Sequence, residues 1–170
     1  MYKRITVGIV VILMCMTTLV GCSQDEITRL DNPNKKNTVL SIDVAGIEEL
    51  IKIRDCPLLL VAMASWCAPC RAELPILQRM HEKYKGKGLK IVGISLDIGG
   101  PSAMQPLVDQ MGLDFPVYWG GEAVTVKYRI SAIPLTYIVK KGEIVEKIVG
   151  GRGEEFIEGK IVSLLDECEK

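Results

Sequence analysis

Predominantly apolar runs alternate along the chain with segments whose apolar residues recur every three or four positions. Residues 58–64 and 89–95 are such runs, and they predict strands that are buried on both faces. Residues 44–54 and 68–85 carry apolar residues at helical spacing, which predicts amphipathic helices. Shorter segments of the same two kinds predict further strands at 38–42, 115–119, 135–140 and 143–149, and further helices at 102–111, 123–128 and 156–167. The residues of the last helix expected to point inward are Phe156, Ile157, Ile161, Leu164 and Leu165.

The predicted elements follow the order β-α-β-α-β-α-β-α-β-β-α. Alternating strands and helices predict an α/β fold in which a mostly parallel central sheet has helices on both faces. The turn at Lys141-Gly142 joins the last two strands into a hairpin, which gives the sheet an antiparallel edge. A chain of 170 residues is long enough for one domain with a proper core.

The N-terminus has the pattern of an export signal. Lys3 and Arg4 precede the apolar stretch 5–20, which is short for a membrane-spanning helix. The stretch ends in Leu19-Val20-Gly21-Cys22, which resembles the bacterial lipobox and implies a lipid on Cys22; a simple membrane anchor with an incidental cysteine is the alternative. We therefore expect a signal peptide at residues 1–21, a flexible polar tether at 22–37 and a folded domain at 38–170.

Charge excludes some partners. The chain has 21 basic and 21 acidic residues, so its formal net charge is zero. Loss of the signal removes Lys3 and Arg4 but no acid, which leaves 19 basic residues against 21 acidic ones, a balance of −2. No basic field points to nucleic acid, and no polybasic stretch points to anionic lipid.

The motif Trp66-Cys67-Ala68-Pro69-Cys70 directly follows the apolar run 58–64. Two thiols three positions apart at the start of a helix can cycle between dithiol and disulfide, so the motif predicts redox chemistry. A structural zinc site needs four ligands, but the chain has no second Cys-x-x-C, and its single histidine, His81, lies far along the following helix. His81 has charged neighbours, so we expect it to face water and to have no role.

The two cysteines are expected to have different roles. At a helix N-terminus, unpaired backbone N–H groups and the helix dipole favour a thiolate on Cys67. That thiolate is expected to attack a client disulfide, and Cys70, one turn further on, to resolve the mixed disulfide.

The region around this motif resembles the thioredoxin superfamily and, more narrowly, its membrane-tethered reductases of the TlpA and ResA type. Besides the motif, Pro75 matches the proline that kinks the family's active-site helix, and Ile133-Pro134 matches its cis-proline before the last hairpin. Residues 99–128 match the extra helix and strand of the TlpA-like branch. The resemblance covers about residues 38–170, and it implies a thioredoxin-like fold with the TlpA-type insert.

The resemblance also implies roles for residues beside the cysteines. It implies a cis bond before Pro134 and a backbone at Ile133 that pairs with an extended client peptide; a trans proline at a strand start is the alternative. Trp66 is expected to be an aromatic lid beside the cysteines or a core residue. Glu73, in a Cys-x-x-Glu-x-Pro pattern, is expected to relay the proton of the buried thiol or to be a solvated glutamate. Ordinary thioredoxins have a buried aspartate six residues before the first cysteine, where this chain has Val61.

Cys56 and Cys168 stand outside the motif. In the fold that the resemblance implies, both lie at the pole of the sheet opposite the active site. A structural disulfide between them and a pair of free thiols are both compatible with the sequence.

The resemblance implies an exported, lipid-anchored thiol–disulfide oxidoreductase on the extracytoplasmic side of a bacterial membrane, in the periplasm or at the cell surface. Its expected reaction is reduction of disulfides in envelope proteins, apocytochrome c being one candidate, with electrons from a membrane-embedded thiol donor. We expect a monomer without a metal or other cofactor. Two alternatives remain: a disulfide oxidase or isomerase on the same fold, and a non-catalytic binding lipoprotein with this fold.

Overall fold

The structure is a computed structural model that describes residues 37–52 and 57–168. The predicted signal peptide, Cys22 and all of the predicted tether except Asn37 lie outside these residues. The predicted Cys56–Cys168 pair does so too, because Cys56 is not described and Cys168 is described by its backbone alone. In the described part of the chain, no helix is long and apolar enough to span a membrane.

A mixed sheet of six strands forms the centre of the described residues. Its order is β1-β4-β3-β2-β5-β6. The three pairs among the first four of these strands are parallel, whereas β5 is antiparallel to both β2 and β6. This arrangement confirms the predicted α/β fold with an antiparallel C-terminal hairpin. The strands are β1 (Leu40–Ser41), β2 (Leu58–Met63), β3 (Lys90–Ser95), β4 (Val117–Trp119), β5 (Leu135–Lys140) and β6 (Glu143–Val149).

Helices cover both faces of this sheet. In the described residues they are α1 (Val44–Lys52), α2 (Ala68–Tyr84), α3 (Pro101–Met111), α4 (Gly121–Lys127) and α5 (Glu154–Cys168). Buried residues of α2, α3 and α5 form one apolar cluster, and those of α1 and α4 belong to a second. The segment expected to hold the TlpA-type insert forms α3, β4 and α4, and β4 lies between β3 and β1.

Strand β2 is apolar throughout because it contributes to both clusters. Leu59, Val61 and Met63 belong to the cluster of α2, α3 and α5, and the alternate residues belong to the opposite one. Successive side chains of a strand point to opposite faces, so a central strand between two helical layers needs apolar residues at every position.

The inward face of α5 is narrower than predicted. Ile157, Ile161 and Leu164 are buried, but Leu165 is only partly buried and Phe156 is 43% exposed. Each helical residue turns the side chain by about 100°, so the position before a buried stripe points away from it. The ring of Phe156 instead lies 5.4 Å from the guanidinium of Arg152.

His81 does not face water as predicted. It lies four residues after buried Leu77, on the same face of α2, and its side chain is only 14% exposed. The imidazole packs edge-on against Phe115, with the ring centroids 5.9 Å apart. Burial lowers the pKa of His81, while the carboxylate of Asp114, 3.7 Å from Nε2, acts in the opposite direction.

The first described residue is already bonded to the domain. The side-chain amide of Asn37 donates hydrogen bonds to the carbonyl oxygens of Leu113 at 3.0 Å and Phe115 at 2.7 Å. Gln105 Nε2 donates to the carbonyl oxygen of Asn37, and Gln105 Oε1 accepts the N–H of Val39. The hydrogen bonds of the domain therefore include a residue just before the predicted boundary at 38.

Candidate active site

A disulfide joins Cys67 and Cys70 at the N-terminus of α2, with the two Cα atoms 5.2 Å apart. Cys67 is the N-cap residue: its backbone is extended, and its sulfur accepts a hydrogen bond from the N–H of Cys70 at 3.3 Å. Pro69 occupies the first turn, where the helix does not use its missing N–H. The sulfur of Cys67 thus lies at the positive end of the helix dipole, an arrangement that stabilises a thiolate once the disulfide is reduced.

Exposure differs sharply between the two cysteines and the residues around them. Cys67 is 5% exposed and Cys70 is 2% exposed, whereas Trp66 is 67% exposed, and Ala68 and Pro69 are also exposed. The exposure of Trp66 excludes its alternative assignment to the core. Cys67 is the more accessible of the two, but its small exposed area shows that its sulfur is recessed between exposed neighbours.

The Ile133–Pro134 peptide bond is cis, the isomer that the resemblance implies. The carbonyl of Pro134 accepts a hydrogen bond from the N–H of Gly150 at 2.8 Å. A Cβ built on Gly151 would lie 3.5 Å from the carbonyl oxygen of Pro69 and 3.8 Å from Cγ of Pro134. The loop that follows β6 therefore borders both the cysteine motif and the cis-proline.

Glu73 is buried one turn after Cys70, with 4% of its surface exposed. Its Oε1 accepts a hydrogen bond from the backbone N–H of Arg152 at 2.9 Å, while Oε2 is buried without a hydrogen-bond partner in the described structure. Burial raises the pKa of Glu73, and the N–H and positive charge of Arg152 oppose that effect. The alternative of a solvated glutamate is therefore wrong.

Sequence reasoning missed Asp97, which lies just after β3 and is 3% exposed. Its carboxylate accepts hydrogen bonds from the backbone N–H of Ser65 at 3.1 Å, the hydroxyl of Ser65 at 2.6 Å and the hydroxyl of Ser95 at 2.7 Å. Its carbonyl oxygen accepts the indole N–H of Trp119 at 2.7 Å. These bonds fix the residue that precedes Trp66. The available signal was an acid at the carboxyl end of a strand parallel to the one before the motif.

The position at which ordinary thioredoxins have a buried aspartate is apolar in this chain. Val61 is 1% exposed and packs in the same cluster as Cys67 and Cys70. The buried carboxylates of the described residues are those of Glu73 and Asp97. Across residues 37–52 and 57–168, no group of three His, Cys, Asp or Glu residues is placed to hold a metal ion.

A six-stranded sheet between two helical layers, a Cys-x-x-Cys disulfide at a helix N-terminus and a cis-proline near it define a thioredoxin-like protein. A family model described as the AhpC/TSA family matches residues 46–148. The chain belongs to the AhpC/TSA family.

Individual relatives carry names from thiol–disulfide chemistry. The thiol-disulfide oxidoreductase ResA of Oceanobacillus iheyensis is 40% identical over 90 residues, which are 52% of this chain and 46% of that protein. The chain spans about half the length of the ResA proteins that it matches. A secreted thiol-disulfide isomerase from Corynebacterium glutamicum is 25% identical, with a TM-score of 0.62 over 69% of this chain and 75% of the other. StoA from Bacillus subtilis, at 23% identity, has a TM-score of 0.55 over 64% of this chain and 84% of its own and shows likeness of fold alone.

Proposed function

We propose that this protein is an extracytoplasmic thiol–disulfide oxidoreductase that reduces disulfides of envelope proteins through Cys67 and Cys70. The observation that carries the proposal is the Cys67–Cys70 disulfide at the N-terminus of α2, next to a loop that also contacts the cis-proline. A purely structural disulfide does not need a thiolate-stabilising helix terminus. The ResA relative is named for the same class of reaction.

The proposed reaction starts from the reduced protein. The thiolate of Cys67 attacks one sulfur of the client disulfide, forms a mixed disulfide and releases the other client sulfur as a thiolate, which takes up a proton. The thiol of Cys70 then loses its proton, attacks the sulfur of Cys67 and releases the second client thiol. The client disulfide gains two electrons, and the protein ends as the Cys67–Cys70 disulfide.

We assign supporting roles to three neighbours of the cysteines. Glu73 accepts the proton of Cys70 in the resolving step, because it is the buried carboxylate one turn away on the same helix. The backbone of Ile133 pairs with an extended client segment beside the cis bond, and Trp66 covers one side of the cysteines.

A trapping experiment tests the proposed reaction. The Cys70→Ser variant, expressed in its native envelope, is expected to accumulate mixed disulfides through Cys67 that dithiothreitol releases, because the resolving thiol is gone. The matched control is the Cys67→Ser variant, which keeps one thiol but lacks the attacking one and should trap far less. Equal trapping by the two variants, or none by Cys70→Ser, would contradict the proposal in favour of a non-catalytic binding protein.

The reduction potential tests the direction. A reductase is expected to have a potential near that of thioredoxin, about −270 mV, whereas a value near about −120 mV would assign the protein to the oxidants. The potential is measured by equilibrating the Cys67–Cys70 pair with glutathione buffers and alkylating the free thiols. The electron donor of a reductase would be a membrane-embedded thiol protein, and apocytochrome c is one candidate client.

The proposed site of action is the outer side of a bacterial membrane, with the protein held by lipid on Cys22. Support comes from the sequence Leu19-Val20-Gly21-Cys22 after an apolar stretch. Growth with radiolabelled palmitate should label the parent protein but not the Cys22→Ala variant. Label in both proteins, or in neither, would contradict the lipid anchor and leave the redox proposal intact.

A further inference from the structure

Two large apolar side chains are exposed just after the neighbouring strands β2 and β3. Ile98 is 99% exposed, the largest value among the exposed large apolar residues of the described structure, and Trp66 is 67% exposed. The proposed disulfide chemistry accounts for the exposure of Trp66. Neither that chemistry nor packing in the core accounts for the exposure of Ile98.

The sheet brings these two residues to the same edge. Strands β2 and β3 are parallel, and their last paired residues are Met63 and Ser95. The pairing continues beyond the strands, because Leu96 N–H donates to the carbonyl of Met63 at 2.9 Å. The hydrogen bonds between Asp97 and Ser65 then hold the next pair of positions together. Trp66 and Ile98 each follow one member of that bonded pair, so they leave the sheet from adjacent positions.

The chain segments around the disulfide carry no charge themselves, but three of them adjoin an exposed arginine in sequence: Arg71, Arg129 and Arg152. Residues 64–70, 98–103, 130–135 and 150–151 contain no Asp, Glu, Lys or Arg. The two acids near the disulfide, Asp97 and Glu73, are both buried. Asp97 is bonded to Ser65 and Ser95, and Glu73 accepts the backbone N–H of Arg152. A partner side chain that contacts Trp66 and Ile98 themselves therefore gains from apolar contact.

The partner expected at this surface is a client protein that carries a disulfide, because disulfide exchange takes place next to it. Any client must bring a cysteine to Cys67, which lies next to Trp66, so the residues beside the client cysteine have to pass over the neighbouring surface. We propose that Ile98 and Trp66 together form an apolar docking surface for a client segment that carries an apolar side chain next to its reactive cysteine. This inference rests on the proposed function and adds to it both a specificity residue and a class of substrate.

The test compares probe disulfides with the reduced full-length protein in a mild detergent. One probe is a nonapeptide dimer linked by a single cysteine disulfide with leucine on both sides of each cysteine. A second has serine at those positions, and the third is 2-hydroxyethyl disulfide. In each exchange the probe disulfide is reduced to two thiols and the protein is oxidised to the Cys67–Cys70 disulfide, so tryptophan fluorescence can follow the second-order rate constant.

The measured quantity is the ratio of the rate constants for the leucine peptide and 2-hydroxyethyl disulfide. The ratio should fall about tenfold in Ile98→Ser, which corresponds to about 1.4 kcal/mol, because the variant loses part of an apolar contact. It should return to near the parent value in Ile98→Leu, which keeps the apolar contact. The matched control is Val126→Ser, an exposed valine on α4 that is 69% exposed, and this variant should keep the parent ratio.

Three outcomes would overturn the proposal. One is a ratio in Ile98→Ser within about twofold of the parent. Another is an equal loss with the serine peptide, which would show an effect independent of the apolar side chain. The third is an Ile98→Ser variant that keeps the parent ratio but loses another kind of binding in sedimentation. Weaker self-association would assign the surface to a second copy of the chain, and weaker binding to vesicles would assign it to lipid. A parent protein that exchanges with none of the probes would instead contradict the proposed function, and the docking role with it.

Discussion

Glu73 lies where a carboxylate is costly, because it is buried and one of its oxygens has no hydrogen-bond partner in the described residues. Its pKa in the folded protein is raised by burial, so the native state binds a proton more tightly than the unfolded chain does. The stabilisation that comes from the protonated form is complete below the unfolded pKa, and it is lost as the pH rises through the folded pKa.

We therefore expect Glu73→Gln to become progressively more stable relative to the parent as the pH rises from about pH 4 to about pH 8. Glutamine keeps the oxygen that accepts the N–H of Arg152 but cannot ionise. The measurement is urea unfolding of both oxidised proteins across that range. Glu82→Gln removes an exposed carboxylate from the same helix and serves as the control. A flat difference for Glu73→Gln, or one of opposite slope, would disprove the expectation.

Asp97 is expected to matter for stability more than an ordinary aspartate. The Asp97→Ala variant leaves the N–H of Ser65 and the buried hydroxyl of Ser95 without their acceptor. Unsatisfied buried groups cost about 1–3 kcal/mol each, so a loss of about 3 kcal/mol in the free energy of unfolding is expected. Exposed Asp166→Ala is the control for loss of a carboxylate alone. A loss below about 1 kcal/mol would mean that water replaces these bonds.

The sequence was most informative where the chemistry is local. The spacing of Cys67 and Cys70 and the proline at position 134 could be recognised directly, because each motif lies within a few residues. The burial of Glu73 could not, since it depends on a backbone N–H 79 positions away. Asp97 was missed for a similar reason: its main partner, Ser65, is 32 positions distant and is reached through strand pairing.

At the scale of elements, Gly93 shows how closely β3 packs in the sheet. A Cβ at this position would lie 3.2 Å from Cγ2 of Val117 and in severe overlap with the Cε atom of Met63. Met63 is 1% exposed, so its side chain has little space into which it can move.

Gly93→Ala is therefore expected to destabilise the protein by about 1–3 kcal/mol through overpacking. Part of the loss should be recovered when Met63→Val is added, since the shorter side chain vacates the overlap. The control is Gly159→Ala in α5, where a Cβ meets nothing within 4 Å and should stabilise the helix by about 0.5–1 kcal/mol. Denaturant unfolding compares the parent with four variants: Gly93→Ala, Met63→Val, their combination and Gly159→Ala. Destabilisations that simply add for Gly93→Ala and Met63→Val would count against the overlap.

The predicted elements differ from the observed ones where neighbours decide the outcome. Strand β1 is shorter than the predicted 38–42, because its two residues pair only with Tyr118 and Trp119 of the short strand β4. In α5, Phe156 was predicted to be buried from its apolarity, whereas its exposure follows from its place beside the buried stripe. The long strand β2 and the long helix α2 were predictable because their patterns extend over many residues.

At the scale of the whole molecule, the side chain of Asn37 is hydrogen-bonded to Leu113 and Phe115, in the segment just before β4. A protein that starts at residue 37 is expected to fold, with one cooperative thermal transition. Asn37→Ala in that protein loses two hydrogen bonds, worth about 1–2 kcal/mol, and should lower the Tm by about 2–8 °C. Exposed Ser163→Ala is the control. An unchanged Tm in Asn37→Ala would place the physical start of the domain at a later residue.

The Cys67–Cys70 bond closes a ring within the first turn of α2 and staples no two elements of the fold together. The oxidised and reduced forms are therefore expected to share one fold. A thermodynamic cycle relates the difference between their free energies of unfolding to the reduction potential of the folded protein. Each 1.4 kcal/mol by which the oxidised form exceeds the reduced form in stability makes the folded dithiol more reducing than its unfolded counterpart by about 30 mV. If the protein reduces other disulfides, its oxidised form should therefore melt at a higher temperature than its reduced form. Calorimetry of the two forms would test the direction of electron transfer without a client protein.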